Sequence, residues 1–158
     1  MRTAPLVAAN RLALFVPAAL LAGALGSQYV GGLYPCEMCH WQRWPHYVAV
    51  AIAALAFAAP QAPRRALVLL AALAIAGSGL IGVFHAGVEY GWWRGITGCT
   101  ATVGRTMGTQ ATLDAIMAAP VIRCDVPQWT MLGISLAGYN AILSLAGAAA
   151  VARLAVKR

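Results

Sequence analysis

The stretch from Pro35 to Arg43, PCEMCHWQR, holds two cysteines separated by two residues, Cys36 and Cys39, and a histidine directly after them, His40. A C-x-x-C pair can be a dithiol that forms and breaks a disulfide. So small a ring removes little chain entropy, and such a pair is usually kept for its reactivity. C-x-x-C-H is also the attachment signature of c-type haem. The two interpretations predict different proteins, and the rest of the chain must distinguish them.

Two further cysteines, Cys99 and Cys124, complete a set of four that lies entirely outside the apolar segments. Four cysteines allow three pairings, and an even number on one side of a membrane suggests two disulfides in an oxidising compartment. Two purely structural bridges are one possibility, since Cys99 and Cys124 would close a loop of about 25 residues. A zinc site of Cys and His ligands is another. However, the second pair lacks the short spacing of zinc ligands, and we predict no metal.

The residues around the C-x-x-C pair favour a reactive thiolate. Pro35 is of a type favoured in the first turn of a helix, which predicts that the pair lies at a helix N-terminus, where a thiolate is stabilised. Arg43 follows Cys39 by four residues, one helical turn further on. It can stabilise the Cys39 thiolate or hold an anion beside it. A contact with lipid headgroups is the alternative interpretation of this arginine.

The elements that position these residues are predicted to be membrane helices. Hydrophobic residues make up 61% of the 158-residue chain and charged residues 9%, against about 25% charged in soluble domains. Apolar segments predict helices at residues 12–29, 39–59, 66–88 and 130–151. Spanning a bilayer takes about 20 residues, and the second segment reaches that length only if it begins at Cys39. We predict an all-α membrane protein, an antiparallel bundle of four transmembrane helices.

The bundle is expected to be a single domain, residues 1–158, with outer loops at 30–38 and 89–129 that carry the cysteines. Glycine and alanine are abundant in the apolar segments, and small residues let membrane helices approach closely. The middle of the second loop, TMGTQATLDAIMAAP, is either a short amphipathic helix on the membrane surface or irregular. The first apolar segment also has features of a secretory signal, and its removal would leave the orientation of the rest unchanged.

The distribution of charge predicts the topology. Seven of the eleven basic residues lie in the two tails and the turn near residues 60–65, with no acid beside them, whereas all four acids lie in the other connections. The positive-inside rule therefore places both termini in the cytoplasm and the cysteines on the opposite side. All five tryptophans fall on that outer side, as an aromatic belt would. The net charge of +7 is a signal of topology, and no nucleic-acid partner is expected.

Two polar residues of the third predicted helix are candidates for function. His85 and Glu89 are four residues apart, on one face at the outer end of the third helix. For His85 the alternative is a polar side chain that snorkels at the membrane interface. His46, one turn after Gln42, is expected to be interfacial.

With these residues in view, the chain resembles the DsbB family of membrane oxidoreductases. The resemblance is carried by C-x-x-C followed by x-x-Q-R-W at the outer start of the second helix, by the cysteine pair of the next outer loop, and by CDVPQW before the fourth helix. His40 departs from the family, which usually has an apolar residue there. The resemblance implies a protein of the bacterial inner membrane that passes electrons from a periplasmic thioredoxin-fold, DsbA-like partner to a quinone.

The resemblance also implies a role for each cysteine. Cys99 would form a transient mixed disulfide with the partner, and Cys124 would be its resolving neighbour. The electrons would then pass to Cys36 and Cys39 by thiol–disulfide exchange.

On the quinone side, the resemblance implies that Cys39 faces the ring as a thiolate, that Arg43 stabilises the developing oxyanion, and that His85 contacts the quinone. The cofactor would be ubiquinone or menaquinone drawn from the lipid bilayer. Two alternatives remain open, a membrane-bound c-type cytochrome that uses C-x-x-C-H and a non-enzymatic membrane protein with two structural disulfides.

Overall fold

The computed structural model describes residues 4–97, 117 and 122–157, and this part of the chain is mostly helical. It confirms the predicted all-α class with four long helices: α1, Ala4–Tyr29; α2, Glu37–Ala58; α3, Gln61–Glu89; and α4, Leu136–Val156. A hairpin of two short strands, β1 (Thr130–Met131) and β2 (Ile134–Ser135), precedes α4. Cys99 lies outside the described residues. So does the segment predicted as a surface helix, except for Met117.

Three of the described helices, α1, α3 and α4, are long and apolar enough to cross a membrane. Helix α2 has 22 residues, but its first third is the polar sequence EMCHWQR. Because α2 packs against both α1 and α3, it belongs to the same bundle as the apolar helices. The membrane character of the chain is thus established by three helices, and a fourth span remains a prediction.

Each helix packs mainly against its neighbours in sequence, and α4 returns to pack against α1 as well as α3. Small residues dominate the buried contacts, with Ala9, Ala13, Ala53, Ala56 and Ala71 all fully buried. At Gly82 the α3 backbone lies so close to α4 that an added Cβ would be 3.0 Å from the Ala137 carbonyl oxygen. The abundance of small residues therefore serves close helix packing, as predicted.

The start of α2 is determined by Cys36, which is the N-cap residue. Its sulfur accepts a hydrogen bond from the backbone N–H of Cys39 at 3.3 Å, and this satisfies one of the free N–H groups of the first turn. The helix therefore begins at Glu37, and Pro35 lies just before the cap instead of in the first turn. At the other end of α2, the Arg64 guanidinium donates to the carbonyl oxygens of Ala56 and Phe57.

The fourth helix begins at Leu136, and the predicted start at residue 130 is wrong. Leu132 and Gly133 both have positive φ, 53° and 78°, which ends any helix and makes the tight hairpin turn between β1 and β2. The hydroxyl of Tyr90, just after α3, donates to the Gly133 carbonyl and accepts from the Ser135 N–H. This hydroxyl ties the hairpin to the end of α3.

The chain after α3 folds back on that helix through Trp93. Its indole N–H donates to the carbonyl of Phe84 at 2.8 Å, and its ring stacks on the Phe84 ring. The close approach requires Gly87, because an added Cβ would be 2.1 Å from the indole ring.

Candidate active site

Cys36 and Cys39 lie side by side at the first turn of α2. Their sulfurs are 3.1 Å apart, with the Cys36 thiol donating to Cys39. This hydrogen bond, together with burial and the nearby Cys39 charge, raises the pKa of the Cys36 thiol far above its usual value. Cys36 is only 2% exposed, whereas Cys39 is partly exposed. When the pair loses one proton, Cys36 therefore keeps its own and Cys39 carries the charge.

Cys124 approaches the same pair from the segment before the hairpin. The sulfurs of Cys36 and Cys124 and the Nε2 atom of His85 all lie within 4.8 Å of one another, and all three residues are buried. All three cysteines of the described residues are free thiols. Cys36 thus has a sulfur on each side, Cys39 in its own helical turn and Cys124 from a distant part of the sequence. A disulfide can pass between such neighbours by exchange.

His85 and Glu89 share one face of α3, as their spacing predicts, and both are buried beside this sulfur cluster. The Nε2 atom of His85 is 3.5 Å from the Cys36 sulfur and 3.7 Å from a carboxylate oxygen of Glu89. The other Glu89 oxygen accepts a hydrogen bond from Ser135, the N-cap residue of α4. His85 therefore lies among the sulfur cluster and a carboxylate, and it does not snorkel toward the interface.

A buried network of polar side chains continues from His85 into the bundle. Gln42 contacts His85 Nδ1 at 2.8 Å and accepts from the Asn140 amide at 2.8 Å. Asn140 in turn contacts His46, which is 3% exposed and also contacts Ser78. The expectation that His46 is interfacial is therefore wrong, because hydrogen bonds from α3 and α4 offset the cost of burying it.

The network includes residues that the sequence reasoning did not select, although a signal for them exists. Gln42 and His46 are four apart in α2, and Asn140 and Ser144 are four apart in α4. Polar residues at that spacing in apolar helices face one side and usually face the bundle interior.

Arg43 occupies the opposite side of the first α2 turns, toward α1. Its guanidinium is 9% exposed and donates to the Gln28 side chain at 2.5 Å and to the Ala24 carbonyl at 3.1 Å. Arg43 and Cys39 both line a cavity of about 390 Å³ between α1, α2 and α4. Much of its wall is aliphatic, and its polar groups come from Ser27 of α1, from α2, and from Tyr139 and Asn140 of α4. Its size and mixed lining are typical of a small-molecule site.

The same geometry bears on haem and metal binding. Cys36 is 2% exposed and belongs to a buried cluster with Met38, Val88 and Ile122, so a porphyrin joined to both cysteines would have to displace these side chains, which argues against a haem site. Cys36, His85 and Cys124 could offer three ligands to a thiophilic metal ion. A structural zinc site takes four ligands, and the described residues bring only these three together.

Comparison with known proteins agrees with the resemblance seen in the sequence. The family model described as Disulfide bond formation protein DsbB matches residues 7–154. An uncharacterized protein of Rickettsia prowazekii (strain Madrid E) is 25% identical over 127 residues, which cover 79% of this chain and 73% of that protein. No solved structure matches the chain significantly.

Proposed function

The chain belongs to the DsbB family of membrane oxidoreductases for disulfide bond formation, and from this premise we propose which thiols and which electron acceptor it uses. It reoxidises a periplasmic, DsbA-like protein of the thioredoxin fold and passes the electrons to a membrane quinone, ubiquinone or menaquinone. The observation that carries the proposal is the position of Cys36, whose sulfur lies 3.1 Å from that of Cys39 and within 4.8 Å of that of Cys124.

The first half of the relay is exchange among sulfurs. The partner's thiolate attacks the Cys99 sulfur of a Cys99–Cys124 disulfide; a mixed disulfide forms between the partner and Cys99, and Cys124 leaves as a thiolate. That thiolate attacks the Cys36 sulfur of the Cys36–Cys39 disulfide. One S–S bond forms between Cys124 and Cys36, and the bond between Cys36 and Cys39 breaks. The electron pair leaves on Cys39, the sulfur next to the cavity.

The second half is delivery of that electron pair to the lipid-soluble carrier. A quinone bound in the cavity between α1, α2 and α4 would supply the oxidising power, because it accepts two electrons and two protons. Cys39 faces this cavity, and Arg43 stabilises both the Cys39 thiolate and the negative charge that develops on the acceptor oxygen. The partner's second thiolate releases Cys99, whose thiolate attacks Cys124, so that the Cys99–Cys124 bond re-forms and the Cys36–Cys124 bond breaks with its electron pair on Cys36. Cys36 then closes the disulfide with Cys39 as two electrons pass to the quinone. In sum, two thiols become one disulfide and the quinone becomes quinol.

The proposed topology is a single domain of four spans in the bacterial inner membrane. The termini are cytoplasmic, and the ends of the bundle that carry the cysteines are periplasmic. The charge distribution supports this orientation through the positive-inside rule. A helix end at the membrane surface suits the chemistry, because the same thiols must be reachable from the partner in water and from the quinone in lipid.

The test uses the purified full-length protein with all thiols reduced, mixed with a soluble ubiquinone analogue while quinol formation and thiol loss are followed. We expect one quinol for each disulfide formed, and no quinol from Cys39→Ser. Cys124→Ser is the matched control, since it removes a thiol of the same cluster but should leave one turnover through Cys36 and Cys39 intact. Quinol formation that survives Cys39→Ser would overturn the proposed route.

A further inference from the structure

The hydrogen bonds below the sulfur cluster determine which ring nitrogen of His85 carries the proton. A backbone carbonyl can only accept a hydrogen bond, so the end of a side-chain amide that lies beside one must be its nitrogen. Gln42 Nε2 lies 3.1 Å from the carbonyl of Met38, and Asn140 Nδ2 lies 3.2 Å from the carbonyl of Ser78. The Gln42 oxygen is then left to accept from Asn140. Both amide orientations are therefore set by the backbone.

This orientation gives Gln42 two N–H groups with two acceptors. One goes to the Met38 carbonyl, and the other points at His85 Nδ1, 2.8 Å away. A nitrogen that accepts a hydrogen bond carries no proton, so the proton of neutral His85 lies on Nε2. That N–H faces the Cys36 sulfur at 3.5 Å and the Glu89 carboxylate at 3.7 Å.

We propose that Gln42 is a positioning residue that holds His85 as the Nε2–H tautomer, so that the ring donates a hydrogen bond to Cys36 whenever that sulfur becomes a thiolate. The inference rests on the proposed function, in which Cys36 twice carries negative charge. It does so once when the bond between Cys36 and Cys124 breaks and the electron pair stays on Cys36, and again as Cys36 attacks Cys39 to close their disulfide. In the same tautomer Nε2 has no lone pair to offer, so His85 is not a metal ligand.

The role of His85 as an N–H donor suits the burial of Cys36. A thiolate buried this deeply has lost its hydration, and a directed donor replaces part of it. Hydrogen bonds to charged groups are the stronger class, and their loss corresponds to a change of about 10- to 100-fold in rate. Gln42 acts only through the ring, so its effect should disappear when His85 is absent.

The first experiment measures the tautomer directly. Full-length protein labelled with ¹⁵N-histidine contains three histidines, and His85 is assigned by its loss in His85→Ala. We expect the Nε2–H form in the wild type and a mixture of tautomers in Gln42→Leu. Ser144→Ala is the matched control, because Ser144 contacts Asn140 and His46 at the other end of the network, and it should leave the His85 signals unchanged. An Nδ1–H form in the wild type would overturn the proposal, even if the variant fails to fold.

The second experiment measures the rate of disulfide closure by reduced protein at saturating quinone. At saturation a change in quinone affinity does not affect the measured rate. Gln42→Leu should slow closure by about 10-fold or more, and Ser144→Ala should not. In a His85→Ala background, Gln42→Leu should have no further effect. Additive losses would overturn the positioning role while leaving the relay intact. A wild type that reduces no quinone would instead refute the proposed function, and the tautomer measurement would still decide this inference.

Discussion

Replacing Arg43 with methionine should separate the chemistry of the cavity from the stability of the bundle. The change keeps an unbranched apolar stem and removes the guanidinium. It loses two hydrogen bonds, to the Gln28 side chain and the Ala24 carbonyl, both half-buried on α1. Their loss should cost about 1–3 kcal/mol of unfolding free energy. Loss of one group that stabilises an oxyanion typically lowers the rate by about 100- to 1,000-fold.

The assay compares two reactions of the same purified protein. The rate of quinol formation by the reduced protein measures electron transfer in the cavity. The rate at which a small dithiol reduces the oxidised protein, without quinone, measures thiol–disulfide exchange. Arg43→Met should lower the rate of quinol formation by about 100-fold or more and the rate of thiol–disulfide exchange far less. Arg64→Met is the matched control, since Arg64 also donates two hydrogen bonds, to the carbonyls of Ala56 and Phe57, at the opposite end of α2. It should lower stability with little effect on quinol formation.

The reasoning would be refuted if Arg43→Met and Arg64→Met reduced quinol formation equally, because the loss would then reflect only the integrity of the bundle. It would also be refuted if Arg43→Met slowed both reactions alike. Arg43→Lys refines the test. It keeps a charge but loses the planar fork that reaches two acceptors, so its rate should lie between those of the wild type and the methionine variant.

Three further predictions use other contacts of the structure. His85→Ala should slow disulfide closure by Cys36 at unchanged quinone KM, whereas a raised KM with unchanged closure would support the quinone contact expected from the sequence. Because the pKa of Cys36 is raised by its hydrogen bond to Cys39, iodoacetamide at neutral pH should modify Cys39 first, as mass spectrometry of the reduced protein can show. Modification of Cys36 first would contradict that proton placement. Gly87→Ala should displace the indole packed on α3 and destabilise the protein by about 1–3 kcal/mol, measured by thermal unfolding. Gly77→Ala, with open space around its position, should not, and equal shifts for the two glycines would contradict the packing argument.

Local spacing predicted the parts of the site that belong to one helix. The four long helices of the described residues, the cysteine pair at the start of α2 and the shared face of His85 and Glu89 all follow from runs of apolar residues and from intervals of three or four. The start of α4 was misplaced because Leu132 is apolar, and its apolar character outweighed the turn signal of the glycine after it. Backbone conformation at two residues decided that boundary.

Residue spacing within one helix could not predict contacts between helices. Nothing local to Cys124 indicates that its sulfur lies beside that of Cys36, and nothing local to Asn140 indicates that it contacts Gln42. His46 was assigned to the interface because a lone histidine in an apolar helix has no visible partner within its own segment. Its partners come from α3 and α4, and they become apparent only when those helices are brought together.

The arrangement of the network explains how sulfurs can exchange partners without loosening the protein. In the proposed relay the bond of Cys36 moves from Cys39 to Cys124 and back. His85 of α3 faces this sulfur, Gln42 of α2 contacts His85, and Asn140 of α4 donates to Gln42. Gly82 brings the α3 backbone close to the turn of α4 that carries Asn140, so these donors are fixed by backbone packing. Because the donors are already oriented before charge appears on Cys36, its stabilisation requires little reorganisation, and the relay can be fast although its central sulfur is buried.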